Sequence, residues 1–436
     1  MKGCSQGLGL PEPRSYGTDW GERTARVCRK VGAEDEWLDS KGESGTVVRI
    51  ALYGNLMYEL AIGLRENPAN DVRLFLDSRT IPNCLSEAEP LNDPTFVQSG
   101  PWVTFREILR PGKAEITSWL SEFDVALVTD LGPIFAASSG TDFVFIPGGS
   151  DLTQWSFPIR SRSTRPRSLR RDLLETAIAS RLRPAIRSSR SVWAWGPFSP
   201  IMLAAERLGL SLTEFLPQMV DTDLFAPSAE ASDKSQGSRS VVIFHPTRIL
   251  FKPNPRMAEA GGCLGNDLLL KGFARAIAQG IDAQLVLIER EGSPDQEAAR
   301  ELIADLGVSD RVKWLCASTP DGFTWNEMVE HYRACDIAVS TFSGWTGLIT
   351  LEAASCGKPV VTWLEPDAME SMYPEGHPYV QAGDEEEICE AIDMLTDPIK
   401  RRSIGNSSRE WILNNHDRSV VARQCESMLA DLGISD

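Results

Sequence analysis

The residues best suited to chemistry stand in the stretch from Ser343 to Val361, which reads SGWTGLITLEAASCGKPVV. Gly347 permits close approach to the backbone, and a helix is predicted to begin beside it. A helix N-terminus offers free N–H groups and a partial positive charge, which suit a phosphate. Glu352 follows little more than one turn later, so its carboxylate could accept from both hydroxyls of a ribose. The stretch therefore predicts a nucleotide site, although a packed strand-helix-strand corner would show the same spacing.

This stretch resembles the C-terminal-domain signature of retaining glycosyltransferases of the GT-B fold, group 4 type. In that signature a Glu-x7-Glu pattern is followed by Ala-x-x-x-Gly-x-Pro-Val. The matching positions are Gly347, Glu352, Ala353, Gly357, Pro359 and Val360. The first glutamate of the pattern falls on Gly344. In the family the missing carboxylate usually touches the donor sugar and the retained one holds the ribose, so the resemblance supports nucleotide binding more than sugar identity or full activity.

Two further segments extend the resemblance. Residues 220–227, VDTDLFAP, resemble the V-D-x-x-x-F-x-P run that closes the first domain in the same family. Arg248 leaves the carboxyl end of a strand predicted over Val241 to Phe244, where the family holds an arginine against the diphosphate. A guanidinium can bridge phosphate oxygens in a bidentate way. The neighbouring His245 could touch a phosphate or could be a hydrogen-bonded structural residue.

The lysine that accompanies this arginine in the family is replaced by Leu264. Lys252 or Arg256, in the loop between Ile249 and Gly262, could reach the same phosphates or could be solvated loop charges. Because an arginine and a helix dipole can neutralise the diphosphate, we expect no catalytic metal.

Two loops of the first half are expected to line the opposite wall of the cleft. The run Gly148–Asp151 follows a predicted strand and resembles the G-S-D loop that faces the acceptor or donor sugar in the family. A plain strand-to-helix turn with the aspartate as a cap is the alternative. The resemblance places Gly54, Asn55, Gly149 and Ser150 in this wall and Asp151 near the reacting sugar.

The resemblance implies a retaining glycosyltransferase that moves a sugar from a nucleoside-diphosphate donor to an acceptor hydroxyl. The implied donor-binding residues are Arg248, Lys252, Trp345, Thr346, Gly347, Leu348 and Glu352, and the implied catalytic residues are Arg248, Glu352 and Asp151. The UDP-sugar is the default donor because it is common in the family, and no other cofactor is expected. The acceptor could be a glycan, a lipid-linked glycan or a small molecule. A nucleotide-sugar-binding protein that has lost catalysis and a GT-B nucleotide-sugar epimerase are the alternatives.

The order of apolar runs predicts two α/β domains with Rossmann-like, doubly wound parallel sheets that face a cleft. We expect a polar, disordered tail over 1–46, a first domain over 47–226 on the acceptor side, and a linker over 227–240. A nucleotide-sugar-binding domain should follow over 241–405. The resemblance implies that helices over 406–436 return to the first domain.

The 436 residues suffice for two domains with sizeable cores, and the net charge is −17. This charge argues against a nucleic-acid partner, since phosphate contacts need clustered cations. Nine scattered cysteines without a C-x-x-C pair favour a reducing cytoplasm. No apolar run is long enough for a membrane span. We therefore expect a cytoplasmic protein, peripheral at most to the inner face of the membrane.

One segment departs from the overall acidity. Arg160 to Arg190 contains ten arginines and two acids, with apolar residues at helical spacing. A basic amphipathic helix could contact an anionic membrane surface or a phosphorylated acceptor. A surface helix whose arginines are solvated or ion-paired is the alternative.

Overall fold

The computed structural model describes residues 47–78, 93–101, 104–157, 166–212, 214–228, 240–252, 264–290, 293–316 and 322–434. The predicted tail over 1–46 and residues 229–239 of the predicted linker lie outside these described residues. Arg256 and the first arginines of the basic segment, Arg160, Arg162 and Arg165, also lie outside them.

The first domain is built on a seven-stranded parallel sheet with the order β3-β2-β1-β4-β5-β6-β7. Its strands are β1 (Val48–Tyr53), β2 (Asn70–Asp77), β3 (Val97–Gly100), β4 (Val125–Val128), β5 (Asp142–Phe145), β6 (Ser191–Ala194) and β7 (Glu214–Phe215). Its helices are α1 (Tyr58–Arg65), α2 (Phe105–Leu109), α3 (Glu115–Leu120), α4 (Gly132–Ser139), α5 (Pro166–Arg187) and α6 (Ser199–Leu208). Short 3-10 turns cover Asn55–Met57 and Pro111–Lys113, and a π-helical turn covers Asp151–Trp155.

The second domain is built on a six-stranded sheet with the order β10-β9-β8-β11-β12-β13. Its strands are β8 (Val241–His245), β9 (Ala283–Glu289), β10 (Val312–Cys316), β11 (Ile337–Val339), β12 (Val360–Thr362) and β13 (Val380–Gln381). Its helices are α7 (Asn266–Ala278), α8 (Gln296–Asp305), α9 (Trp325–Ala334), α10 (Leu348–Ser355), α11 (Pro366–Met372), α12 (Glu385–Met394), α13 (Pro398–Asn415) and α14 (Arg418–Asp431). A 3-10 turn covers Ser309–Arg311.

Both sheets are covered on their two faces. In β1 the side chains of Ile50 and Leu52 enter one apolar cluster, whereas Ala51 and Tyr53 enter the cluster on the opposite face. Strands buried on both sides read as continuous apolar runs, which is why they are visible in the sequence. The predicted fold class, two Rossmann-like doubly wound parallel-sheet domains, is confirmed.

Each sheet has a switch point, because the chain reverses its direction of travel beside the first strand of each domain. The reversal falls between β1 and β4 in the first sheet and between β8 and β11 in the second. Loops that leave neighbouring strands at such a point diverge to opposite faces and open a crevice for a ligand. The fold thus marks two places, one in each domain, where a site could form.

The sequence did not indicate every element. The strands β7 and β13 have two residues each and lie at sheet edges, so neither forms an apolar run that could be detected. The helix α11 is seven residues long and begins at a proline. Among the described residues, no helix combines the length and apolarity needed to cross a bilayer.

The last helix, α14, packs against α1 of the first domain. A side chain at Gly63 would lie 2.7 Å from the Arg418 carbonyl, so the glycine allows the two helices to approach closely. Val421, Cys425 and Leu429 of α14 are buried in a first-domain apolar cluster. The chain thus crosses back from the second domain.

The guanidinium of Arg418, at the start of α14, forms ion pairs with three carboxylates. Arg418 Nη1 lies 2.7 Å from Asp221 Oδ2 and 3.5 Å from Glu59 Oε2, and its Nε lies 3.7 Å from Glu66 Oε1. Burial and the Asp221 charge raise the pKa of Glu59 to about 7, and Arg418 opposes this only in part. An ionised Glu59 is therefore costly in the folded state.

Replacing Glu59 by Gln should stabilise the protein at alkaline pH. The folded pKa lies above the unfolded one, so the cost of Glu59 grows as pH rises from 4.5 to about 7 and is complete above that, on the order of 3 kcal/mol. Calorimetric melting should show a larger gain for Glu59→Gln at about pH 8 than at about pH 5.5. Glu66→Gln, which removes a half-exposed carboxylate from the same arginine, is the control and should show no such difference. An equal shift at both pH values would contradict this account.

Candidate functional site

The second-domain switch point carries Arg248, which is exposed three residues beyond the end of β8. Its loop is tied down by a buried polar network. Asn266 Nδ2 lies 2.7 Å from His245 Nε2 and 3.3 Å from the Arg248 carbonyl oxygen, and its Oδ1 accepts from the Leu250 N–H at 2.7 Å. The loop is therefore held in shape while the side chain of Arg248 is exposed.

His245 belongs to this supporting network. Its Nδ1 lies 2.9 Å from the Val339 carbonyl oxygen, so Nδ1 donates and Nε2 accepts from Asn266. Complete burial lowers the pKa of His245 to about 4, which keeps the ring neutral. These contacts favour the interpretation of His245 as a hydrogen-bonded structural residue over a contact with phosphate.

Glu352 lies on α10, which begins on the other side of the same switch point. The Tyr332 hydroxyl donates to Glu352 Oε2 at 2.7 Å and orients the carboxylate. Burial raises the pKa of Glu352 to about 7, whereas the Tyr332 bond and the charge of Arg290 oppose the rise. Tyr332 is itself held edge-on by Phe225 and Phe244, at ring-centroid distances of 6.2 and 5.7 Å.

Arg290 is a member of this site that sequence reasoning missed. It directly follows β9, the neighbour of β8, and its charge acts on both Glu352 and His245. Arg290 therefore lies at the same edge of the sheet as these two residues. A signal was available, because Arg290 directly follows an apolar strand, and Arg248 lies three residues beyond the adjacent one.

The turn before α10 leaves room for a ligand. Gly347 caps the helix, and a side chain built there would meet nothing within 4 Å. Thr346 is partly buried and Leu348 is 40% exposed. Trp345 packs against apolar clusters of both domains, and a side chain at Gly149 would lie 3.5 Å from its ring. The turn therefore reaches across to the first-domain loop.

The structure explains the glycine at 344. Its φ is +91°, and a Cβ there would lie 2.9 Å from the Trp363 ring and 3.0 Å from Glu365 Cγ. A glutamate at this position would be strained and would collide with both side chains. The carboxylate of Glu365 instead stands beside the turn, and its Oε2 accepts from the N–H and the hydroxyl of Ser199, both at 2.8 Å. This contact links the two domains, and the sequence did not indicate it.

The first-domain wall lies at the switch point between β1 and β4. Asp151 is fully buried and accepts bonds from four backbone N–H groups, those of Asp130, Gly148, Gly149 and Leu152, at 2.8 to 3.0 Å. Burial raises the pKa of Asp151, but these four donors oppose this and favour the ionised form. Asp151 thus holds the loop that carries Gly149 and Ser150.

Asp130 stands at the same switch point. It has a φ of +56°, which is uncommon for a residue with a side chain. Burial and the Asp151 charge raise the pKa of Asp130 to about 7. Gly54 faces it: a Cβ there would lie 2.1 Å from Thr129 Cγ2 and 3.4 Å from Asp130 Oδ2. Asn55 follows, partly buried, at the start of its 3-10 turn.

Lys252 lies farther along the loop after Arg248. Its side chain is exposed, and its backbone N–H donates to Asp295 Oδ2 at 2.7 Å. Residues 253–263, which follow it and include Arg256, are outside the described part of the chain.

A cavity of about 480 Å³ opens beside β12 and α11. Trp363, Tyr373, His377 and Gln381 contribute to its lining. Trp363 also contacts the turn at Gly344, so this space adjoins the candidate site.

Comparison with known proteins assigns the second domain to a family. Residues 261–397 match the family described as Glycosyl transferases group 1. The second domain belongs to the group 1 glycosyltransferases. The family and the GT-B fold that the sequence signature implied are both confirmed.

Two curated relatives share part of this chain. A GDP-mannose-dependent monoacylated alpha-(1-6)-phosphatidylinositol monomannoside mannosyltransferase of Corynebacterium glutamicum is 32% identical over 226 residues, which cover 50% of this chain and 55% of the relative. A GDP-mannose-dependent alpha-(1-6)-phosphatidylinositol monomannoside mannosyltransferase of Mycolicibacterium smegmatis is 28% identical over 218 residues, covering 46% of this chain and 52% of the relative. The chain spans about half the length of these two relatives.

Solved structures extend the likeness over both domains. Sucrose-phosphate synthase from Thermosynechococcus elongatus has a TM-score of 0.59 at 16% identity, covering 89% of this chain and 100% of the other. A glycosyltransferase from Rickettsia africae has a TM-score of 0.58 at 14% identity, covering 88% of this chain and 98% of the other. At these identities the likeness shows the fold alone, so the group 1 glycosyltransferase domain here is the second half of a GT-B protein.

Replacing Arg290 by Gln should weaken the binding of nucleoside diphosphates about tenfold or more, because a charge-assisted hydrogen bond contributes about 1.5 to 3 kcal/mol. Titration calorimetry with GDP and UDP measures the effect. Arg275→Gln removes a guanidinium that pairs with Glu386 between two outer helices of the same domain, and it should leave the affinity unchanged. If the Arg290 variant and the unaltered protein bound GDP and UDP equally well, Arg290 would not belong to the nucleotide site.

Proposed function

We propose that the protein is a retaining glycosyltransferase that transfers a sugar from a nucleoside-diphosphate donor to an acceptor hydroxyl. The observation that supports this most is that Arg248 and Arg290 follow the carboxyl ends of the neighbouring strands β8 and β9, and that the charge of Arg290 acts on the carboxylate of Glu352. Arg248 and Arg290 would bind the diphosphate, together with the N–H groups of the turn at Gly347. Glu352, oriented by Tyr332, would accept from the ribose hydroxyls.

The chemistry would rest on stabilising the leaving group. As the bond between the anomeric carbon and the phosphate oxygen breaks, negative charge develops on the diphosphate, and positive groups placed beforehand lower the barrier. The acceptor oxygen would bond to the same face of the sugar, and its proton would pass to the departing phosphate oxygen. Arg248 would thus be the main catalytic group, and Asp151 would act as a positioning residue through its loop.

The donor is proposed from the relatives. Both mannosyltransferases named above are described as GDP-mannose-dependent, so GDP-mannose replaces the UDP-sugar default as the first donor to test. The same two descriptions name a phosphatidylinositol monomannoside. A lipid-linked glycan at the inner face of the membrane is therefore the first acceptor to test.

A metal ion is not required in this proposal, because the cations of the chain would neutralise the diphosphate. Full-length protein incubated with GDP-mannose and a phosphatidylinositol monomannoside should release GDP at the same rate with and without EDTA. Arg248→Gln should lower the rate about 100-fold. Arg311→Gln is the control, because Arg311 forms an exposed ion pair with Asp282, the residue before β9, and this variant should not lower the rate. A rate abolished by EDTA and restored by magnesium would contradict the metal-free proposal.

A nucleotide-sugar-binding protein without turnover is the second candidate. Gly344 and Leu264, which replace a carboxylate and a lysine of the family signature, are the observations that favour it. Donor incubated with the protein alone should be hydrolysed slowly if the protein is a transferase. Saturable donor binding with neither hydrolysis nor transfer would favour the binding protein.

A further inference from the structure

Two neighbouring helices of the first domain expose apolar side chains. α2 lies against α5, and Arg181 of α5 donates to the Leu109 carbonyl at the end of α2 at 3.2 Å. The exposed fractions are 50% for Phe105, 38% for Leu109, 69% for Leu173 and 38% for Leu174. We call these four residues the α2–α5 face.

The charge around the α2–α5 face is positive in a chain whose net charge is −17. The exposed cations on and beside the two helices are Arg106, Arg110, Lys113, Arg171, Arg181 and Arg187. Four acids lie there. Glu107 is partly buried and forms a capping box with Thr104, and Glu175 pairs with Arg171. Asp172 is partly buried and Glu115 is exposed. Cations thus outnumber the acids, and most of these acids are shielded.

Part of the α2–α5 face follows the carboxyl edge of the first sheet. Helices in a doubly wound domain start at the carboxyl edge of the sheet, where the cleft opens. Phe105 begins α2 five residues after the end of β3, and Leu173 and Leu174 lie in the first half of α5. Whatever covers the α2–α5 face would stand next to the entrance of the first-domain wall.

We propose that the α2–α5 face docks on the surface of an anionic lipid bilayer. The four apolar side chains would enter the boundary between headgroups and acyl chains, while the surrounding arginines contact lipid phosphates. The acidity of the chain would be repelled by anionic lipid, so the positive charge beside the α2–α5 face would turn this face towards the membrane. The proposal rests on exposure and charge, not on transfer activity, although docking would bring a lipid acceptor to the cleft.

Sedimentation of the full chain with vesicles tests the proposal. The protein should pellet with vesicles of equal parts phosphatidylcholine and phosphatidylglycerol, remain in solution with phosphatidylcholine alone, and be released by raised salt. The double variant Leu173→Ser, Leu174→Ser should lower the partition coefficient at least about tenfold. Ile399→Ser, at a 79% exposed position on α13 of the second domain, is the matched control and should bind as the unaltered protein does.

Several results would overturn the proposal. These are a failure of the unaltered protein to bind anionic vesicles, equal binding by the double variant, and an equal loss in the Ile399 control. Sedimentation velocity adds one more: a dimer that the double variant dissociates, without any vesicle binding, would make the face a contact between copies of this chain. An unchanged melting temperature shows that the variants fold. Vesicle binding needs no catalysis, so its failure would leave the proposed transfer reaction standing.

Discussion

The close approach of the turn Gly344–Gly347 to the first-domain loop is the constraint on which the rest of the site depends. The ring of Trp345 lies 3.5 Å from the position that a Cβ would take at Gly149, which is van der Waals contact, and the φ of +114° favours glycine at this position. The loop stays in place because Asp151 accepts from its N–H groups at Gly148, Gly149 and Leu152, and also from the N–H of Asp130 and the hydroxyl of Thr129 beyond β4. Two switch points that would otherwise be separate crevices thereby become the two walls of one cleft.

The two walls carry different sets of charged side chains. The second-domain wall holds the guanidinium groups of Arg248 and Arg290 together with the carboxylate of Glu352, and the first-domain wall holds the carboxylates of Asp130 and Asp151. Burial raises the pKa values of Asp130 and Glu352 to about 7, so the cleft holds acids whose ionised form further donors or cations would stabilise. A ligand that brings hydroxyl groups beside a diphosphate would satisfy both walls at once.

Much of the fold could be predicted from the sequence, because strands buried on both faces leave continuous apolar runs and helices leave periodic ones. Short edge strands leave neither, and so β7 and β13 were missed. Glu352 and Arg248 could be proposed as site residues from the sequence because each stands beside a local signal, a glycine turn or a strand end. The contact of Glu365 with Ser199 could not be found, since it joins residues 166 positions apart that meet only when the domains face each other. In the sequence, Gly344 appears as the loss of a carboxylate from the family signature. The structure shows that Trp363 and Glu365 occupy the space that a side chain at position 344 would need.

The central claim is that two cations and a turn bind two linked phosphates while Glu352 holds the ribose. Titration calorimetry of the unaltered protein with a nucleoside, its monophosphate and its diphosphate tests this directly. The account predicts that the diphosphate binds at least about tenfold more tightly than the monophosphate, since only the diphosphate engages both guanidinium groups. Equal affinities for the nucleoside and its diphosphate would contradict it.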